Sequence, residues 1–177
     1  MPAVVTLDDV ADLNAADQHG HRYELSPEGV LSVMPPPDSE HAEIISDIMI
    51  WLAMAGWPAR QLLQAAGIQV PGPDGSGGRI PDLTVWAKRQ PKAVWMPIEN
   101  LILVVEVVST GSRRVDETMK RHEYAHAGIP HFWLVDRDSA QTVTLFVLGA
   151  DGGYATATKM PLAWLLQSTP ADHGLAP

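Results

Sequence analysis

LILVVEVVS, residues 101–109, is the stretch that decides the fold. It is an almost unbroken apolar run rich in β-branched residues, the composition of a central strand buried on both faces. One residue interrupts it. Glu106 is ionisable in a segment that reads as core, where a carboxylate is tolerated only if paired, protonated or bound to a metal. A glutamate in a central strand has little structural use, so it marks a functional site.

Working outward, Ile80-Pro81-Asp82 opens the preceding strand, IPDLTVWA. If the two strands are neighbours, Asp82 and Glu106 approach closely enough to share a divalent cation. Oxygen-only ligands favour Mg²⁺ or Mn²⁺ over zinc. Such a metal would activate a water and neutralise charge on a phosphodiester. Further acids fall at Glu28, in an early turn, and at Glu40 and Glu43, which flank His41.

The remaining segments fit around this strand. TLDDVADLNAADQ, residues 6–18, reads as an amphipathic helix opening at Thr6. Residues 23–25 and 30–34, joined by Ser-Pro-Glu-Gly, read as a hairpin that ends at three prolines. Asp38 or Ser39 caps the next helix, which carries Ile44, Ile45, Ile48, Trp51 and Leu52 at helical spacing and stops at Gly56. A strand is expected over 65–70, then a Gly-rich turn, PGPDGSGG. That turn lacks the G-K-[ST] of a phosphate-binding loop and does not lead into a helix, so it reads as a hairpin or disordered turn. A helix ended by Gly128 and Pro130 follows residue 109, then strands HFWLVD and TVTLFVL and a short helix PLAWLLQ. The order predicts one α/β (α+β) domain over 1–177: a central mixed sheet flanked by helices, with an N-terminal β-hairpin. Its core spans about 20–167, and residues 168–177 are expected to form a flexible tail.

The composition restricts function. The 177 residues are 46% hydrophobic, as in an ordinary globular protein, and carry a formal charge of −9. That balance argues against a protein that coats nucleic acid through bulk positive charge, but not against local phosphate binding through metal ions. With no cysteine, thiolate catalysis, disulfides and cysteine-type zinc sites are excluded. The N-terminus has no basic run of the signal-peptide kind, and no apolar stretch reaches the ~18 residues of a membrane span. A cytoplasmic location is the expectation.

A competing signal lies at 122–126, His-Glu-Tyr-Ala-His, which matches the H-E-x-x-H helix of zinc proteases. His122 and His126 share a helix face, but the third ligand is missing from its usual place. Gly128 follows the second histidine by two residues rather than three, and His131 comes one residue early and opens an apolar strand. In a chain with seven histidines, the pattern reads as a coincidence. On the same helix Asp116, Lys120 and Tyr124 stand at successive four-residue steps and share a face.

In chain order, Pro81-Asp82, Glu106-Val107-Val108-Ser109, the Asp116/Lys120/Tyr124 row and AGIPHFWLVD (127–136) together resemble the Uma2 family of restriction-endonuclease-like nucleases. The hairpin YELSPEG and the run from Met34 through the prolines to His41 add to it. The resemblance implies the PD-(D/E)xK fold, with the metal at Asp82 and Glu106 and with Glu28 at the family's N-terminal acidic position. It also makes Lys120, Tyr124 and Gly128 the patterned positions of the helix, and His122 and His126 incidental. One departure stands out. The general motif places a lysine two residues after the glutamate, and Val108 occupies that position here. Lys120 is the natural substitute, as support for the attacking water.

The sequence therefore predicts a Mg²⁺- or Mn²⁺-dependent DNA endonuclease, with Asp82, Glu106, Lys120 and Glu28 as its site. It is expected to act as a homodimer, because two related sites cut two strands most simply. The rivals are a catalytically inactive nucleic-acid-binding or assembly protein of the same fold and, from HEYAH, a zinc metalloprotease.

Overall fold

The structure is a computed structural model describing residues 4–72, 75–109 and 113–177, with only the backbone of 113–116; the side chain of Asp116 lies outside the described residues. The first helix, α1 (Leu7–Ala16), opens with a reciprocal capping box between Thr6 and Asp9. The hairpin follows as β1 (Arg22–Leu25) and β2 (Leu31–Met34), and the prolines lead into α2 (Ser39–Met54), capped by Asp38. Next come β3 (Leu62–Gln64), β4 (Ile68–Gly72), β5 (Gly75–Arg79), β6 (Leu83–Trp86) and β7 (Leu101–Val107). Helix α3 (Arg113–His126) precedes β8 (His131–Val135), β9 (Thr142–Leu148), β10 (Tyr154–Pro161) and the short α4 (Leu162–Leu165).

These strands form two sheets. The larger has the order β10-β9-β8-β7-β6-β3, antiparallel except where β7 and β8 run parallel on either side of α3. The smaller is antiparallel, β2-β1-β5-β4. Strand β7 is interior to the mixed sheet, as its composition predicts. Its side chains alternate between faces. Leu103, Val105 and Val107 pack with Ile44, Ile48 and Leu52 of α2, while Val104 packs with Tyr124 of α3 and Phe132. Glu106, two residues from Val104, therefore projects to the α3 side.

Three expectations need correction. The Gly-rich segment is not only a turn, because Gly75–Arg79 is a full strand between β1 and β4. Glycine is required there for close approach: a Cβ at Gly77 would meet the Leu25 carbonyl oxygen at 2.6 Å, and one at Gly78 would meet the Trp95 ring at 2.8 Å. The strand expected over 65–70 begins only at Ile68, because Ala65, with a φ of 47°, lies in the break between β3 and β4. The final ten residues do not form a loose tail. Trp51 Nε1 donates to the Ser168 carbonyl at 2.9 Å, Thr169 and Asp172 cap a 3-10 turn at Pro170–His173, and Leu175 is buried in the α2-side core. Strand β10, rich in threonine and alanine, escaped the sequence reading because it is an outer strand with little apolar patterning. Among the described residues no helix is long and apolar enough to cross a membrane.

Candidate active site

Leu83 of β6 pairs with Val105 of β7, so Asp82, one step before Leu83, stands beside Glu106 at the end of the ladder. The link is a hydrogen bond: the Val107 amide donates to Asp82 Oδ2 at 2.8 Å. Asp82 Oδ1 meets Arg22 of β1 at 3.1 Å and the His41 Nε2 of α2 at 3.0 Å. Burial works to raise the proton affinity of Asp82, but the His41 bond, the charges of His41 and Arg22 and the Val107 amide outweigh it, holding the carboxyl below the usual carboxylate range.

Glu106 has the opposite environment. Its Oε1 accepts from Lys120 Nζ at 3.1 Å and from the Tyr124 hydroxyl at 2.7 Å. Burial pushes its pKa up to about 7; the Lys120 charge opposes the rise, and the nearby Asp82 and Glu24 charges reinforce it. The Tyr124 hydroxyl is pushed well up by burial and by the Glu106 charge, so it remains a donor. Two adjacent carboxyl groups with proton affinities driven apart are a signature of acid–base and metal chemistry rather than of packing.

Lys120 reaches this point from α3, one element away from the position held by Val108. Its ammonium lies between Glu106 and a third acid, Glu24 of β1, whose Oε2 is 3.3 Å away. Glu24 also accepts from the Ile80 amide at 2.7 Å and from Arg79 at 3.2 Å. Arg79 in turn holds Glu123 of α3 with two bonds, at 2.6 and 2.8 Å. Although burial works against its charge, those bonds and the carboxylates around it push the Arg79 pKa further up.

The structure thus brings Asp82, Glu106 and Lys120 together and leaves Glu28 apart. Glu28 is exposed at the hairpin turn, beside the groove that His122 and His126 line. The hairpin acid that reaches the cluster is Glu24, two residues from Arg22 on the same face of β1. The patterning of Arg22-Tyr-Glu-Leu was its only sequence signal, since the partner Arg79 is remote in the chain. His41 joins the site through Asp82, whereas Glu40 pairs with Arg137 and Glu43 is exposed. The H-E-x-x-H string is taken apart: both histidines are exposed, and Glu123 is buried against Arg79.

A cavity opens onto Asp82, Glu106 and Lys120, walled by Arg22, His41 and Arg137 and by the three prolines. Cations and acids share its lining: Arg22, Lys120 and Arg137 stand with Asp38, Asp82, Glu106 and Glu117. The donor set suits a hard divalent cation. Two carboxylates face one cavity, and Glu106 accepts both of its bonds on a single oxygen. Mg²⁺ commonly binds through one or two carboxylates and completes its shell with water and phosphate oxygens. No set of three His, Cys, Asp or Glu that could hold a metal occurs among the described residues, so a dedicated all-protein cage of the zinc kind is not offered there.

A mixed sheet that brings an aspartate at a strand end, a glutamate inside the next strand and a lysine to one cavity defines the class: a restriction-endonuclease-like fold. The fold is shared with a crystal structure described as a putative nuclease belonging to DUF820 from Anabaena variabilis ATCC 29413, at a TM-score of 0.60 and 20% identity, covering 81% of this chain and 80% of that one. The Uma2 family, described as "Putative restriction endonuclease", matches residues 7–176, and the chain belongs to it. No curated protein matches it.

Proposed function

We propose that this chain is a divalent-metal-dependent DNA endonuclease. The observation that carries the reading is the meeting of Asp82, Glu106 and Lys120 at one cavity. Asp82 and Glu106 would hold Mg²⁺ or Mn²⁺, which when bound would lower the proton affinity of a water and offset phosphate charge. The chain's own residues supply the rest. The Lys120 ammonium orients the attacking water and stabilises the charge that develops on the phosphoryl oxygens. Arg22, His41 and Arg137 line the wall along which a phosphodiester would lie. Water adds to phosphorus, the bond to the leaving sugar oxygen breaks, and a proton passes from the water to that oxygen by way of solvent. Duplex cleavage is simplest with two copies of the site, so the active form is taken to be a homodimer.

One observation favours a second reading, a silent nucleic-acid-binding protein. Both Asp82 oxygens already accept bonds, from Arg22, His41 and the Val107 amide. The deciding test is cleavage of supercoiled plasmid with Mg²⁺ or Mn²⁺ by wild type, Glu106→Ala and His122→Ala. Cutting by wild type and His122→Ala alone supports the carboxylate site. No cutting by any of them, with no binding of Mn²⁺, supports the silent protein.

A further inference from the structure

The lysine of this site comes from a helix, and a flexible four-carbon side chain needs a reason to hold one position. Four charged residues provide one. Lys120 and Glu123 lie one turn apart on α3. Lys120 bonds to Glu24 of β1, Glu24 to Arg79 Nη1 at the end of β5, and Arg79 to Glu123 through Nε and Nη2. The ring closes back on α3. All four side chains are at least nine-tenths buried, so water does not compete for these bonds. The ring fixes the ammonium on its other side against Glu106, in the cavity.

We infer that Arg79 and Glu123 are positioning residues: they lock Glu24, and through it the Lys120 ammonium, at the reacting centre. This rests on the nuclease reading for its catalytic consequence and on geometry for its structural one. It also gives Glu123, the acid of the H-E-x-x-H string, a role that owes nothing to zinc.

Two readouts keep the two readings separable. In plasmid cleavage, Glu123→Gln should lower the turnover rate on the order of 10²-fold, as expected for about 1 Å of misplacement. KM for DNA should stay unchanged. In a Lys120→Met background the same substitution should have no further effect, because there is no ammonium left to position. Arg79→Lys keeps the charge but loses the two-pronged bond, and should behave like Glu123→Gln. The second readout needs no activity. The lysines are Lys88, Lys92, Lys120 and Lys159. Selective ¹⁵N labelling should show one ammonium protected from exchange, absent from Lys120→Met and lost in folded Glu123→Gln or Arg79→Lys. A protected Lys120 signal that survives in either folded variant overturns the proposal, as does an additive effect of Glu123→Gln on Lys120→Met. If wild type cuts no DNA but the signal behaves as expected, the ring stands and the nuclease reading falls.

Discussion

Lys120 Nζ and Glu106 Oε1 are 3.1 Å apart although 14 residues of chain and a change of element separate them. In the general motif the same cation stands two residues from the glutamate, on the same strand. Here Val108 occupies that place and also lines the cavity. In the proposed nuclease, helix α3 would deliver the charge that the general motif places on the strand.

That relocation predicts a rescue. Lys120→Met should lower plasmid cleavage by about 10²–10³-fold, the scale of removing one preorganised charge stabiliser. Adding Val108→Lys should restore part of the loss, because position 108 opens onto the same cavity. Cleavage rates of the single and double variants check it; a double variant no better than Lys120→Met would count against the shared role.

Tyr124→Phe removes one of two donors to a buried carboxyl while keeping the ring that packs on Phe132. The expected loss is about 1–3 kcal/mol, the cost of depriving a buried acceptor of its partner. Urea unfolding of the metal-free protein measures it.

Glu106 makes metal-free stability depend on pH. Its proton affinity is raised on folding, to about 7, so the folded state binds the proton more tightly than the unfolded chain. The contribution is present in full below the ordinary glutamate range and is lost as pH rises through about 7. Asp82, whose proton affinity is lowered on folding, contributes in the opposite sense at more acidic pH. Unfolding in EDTA between pH 4.5 and 8 should show falling stability that Glu106→Gln flattens. At the upper end Mg²⁺ should restore stability to wild type alone, by mass action.

The C-terminal segment should matter for folding. Leu175 is buried in the α2-side core, so Leu175→Ala should cost about 2–5 kcal/mol. Thermal unfolding compared with His126→Ala, an exposed position where about 0.5 kcal/mol or less is expected, checks it.

His122→Ala and His126→Ala should leave both cleavage and zinc content unchanged. Metal analysis by mass spectrometry after dialysis against Zn²⁺ checks this. Stoichiometric zinc lost from either variant would revive the histidine pair as a site.

The residue pattern alone determined the central strand, the helix caps and the pairing of Asp82 with Glu106. Those features rest on local physics: side-chain alternation, helical periodicity, and the cost of an ionised group in an apolar strand. The four-residue step also put Asp116, Lys120 and Tyr124 on one helix face, while the meeting of Lys120 with Glu106 was decided by the packing of α3 on β7. Only the tertiary structure decided which hairpin acid enters the site. Glu24 and Glu28 are four residues apart and chemically alike, and the choice of Glu24 depends on the face of β1 and on Arg79, 55 residues away. The ordering of Ser168 to Leu175 against α2, and the use of glycine for close strand packing at Gly77, were hidden for the same reason. Their energies come from partners remote in the chain, and no local pattern records a partner that is not nearby.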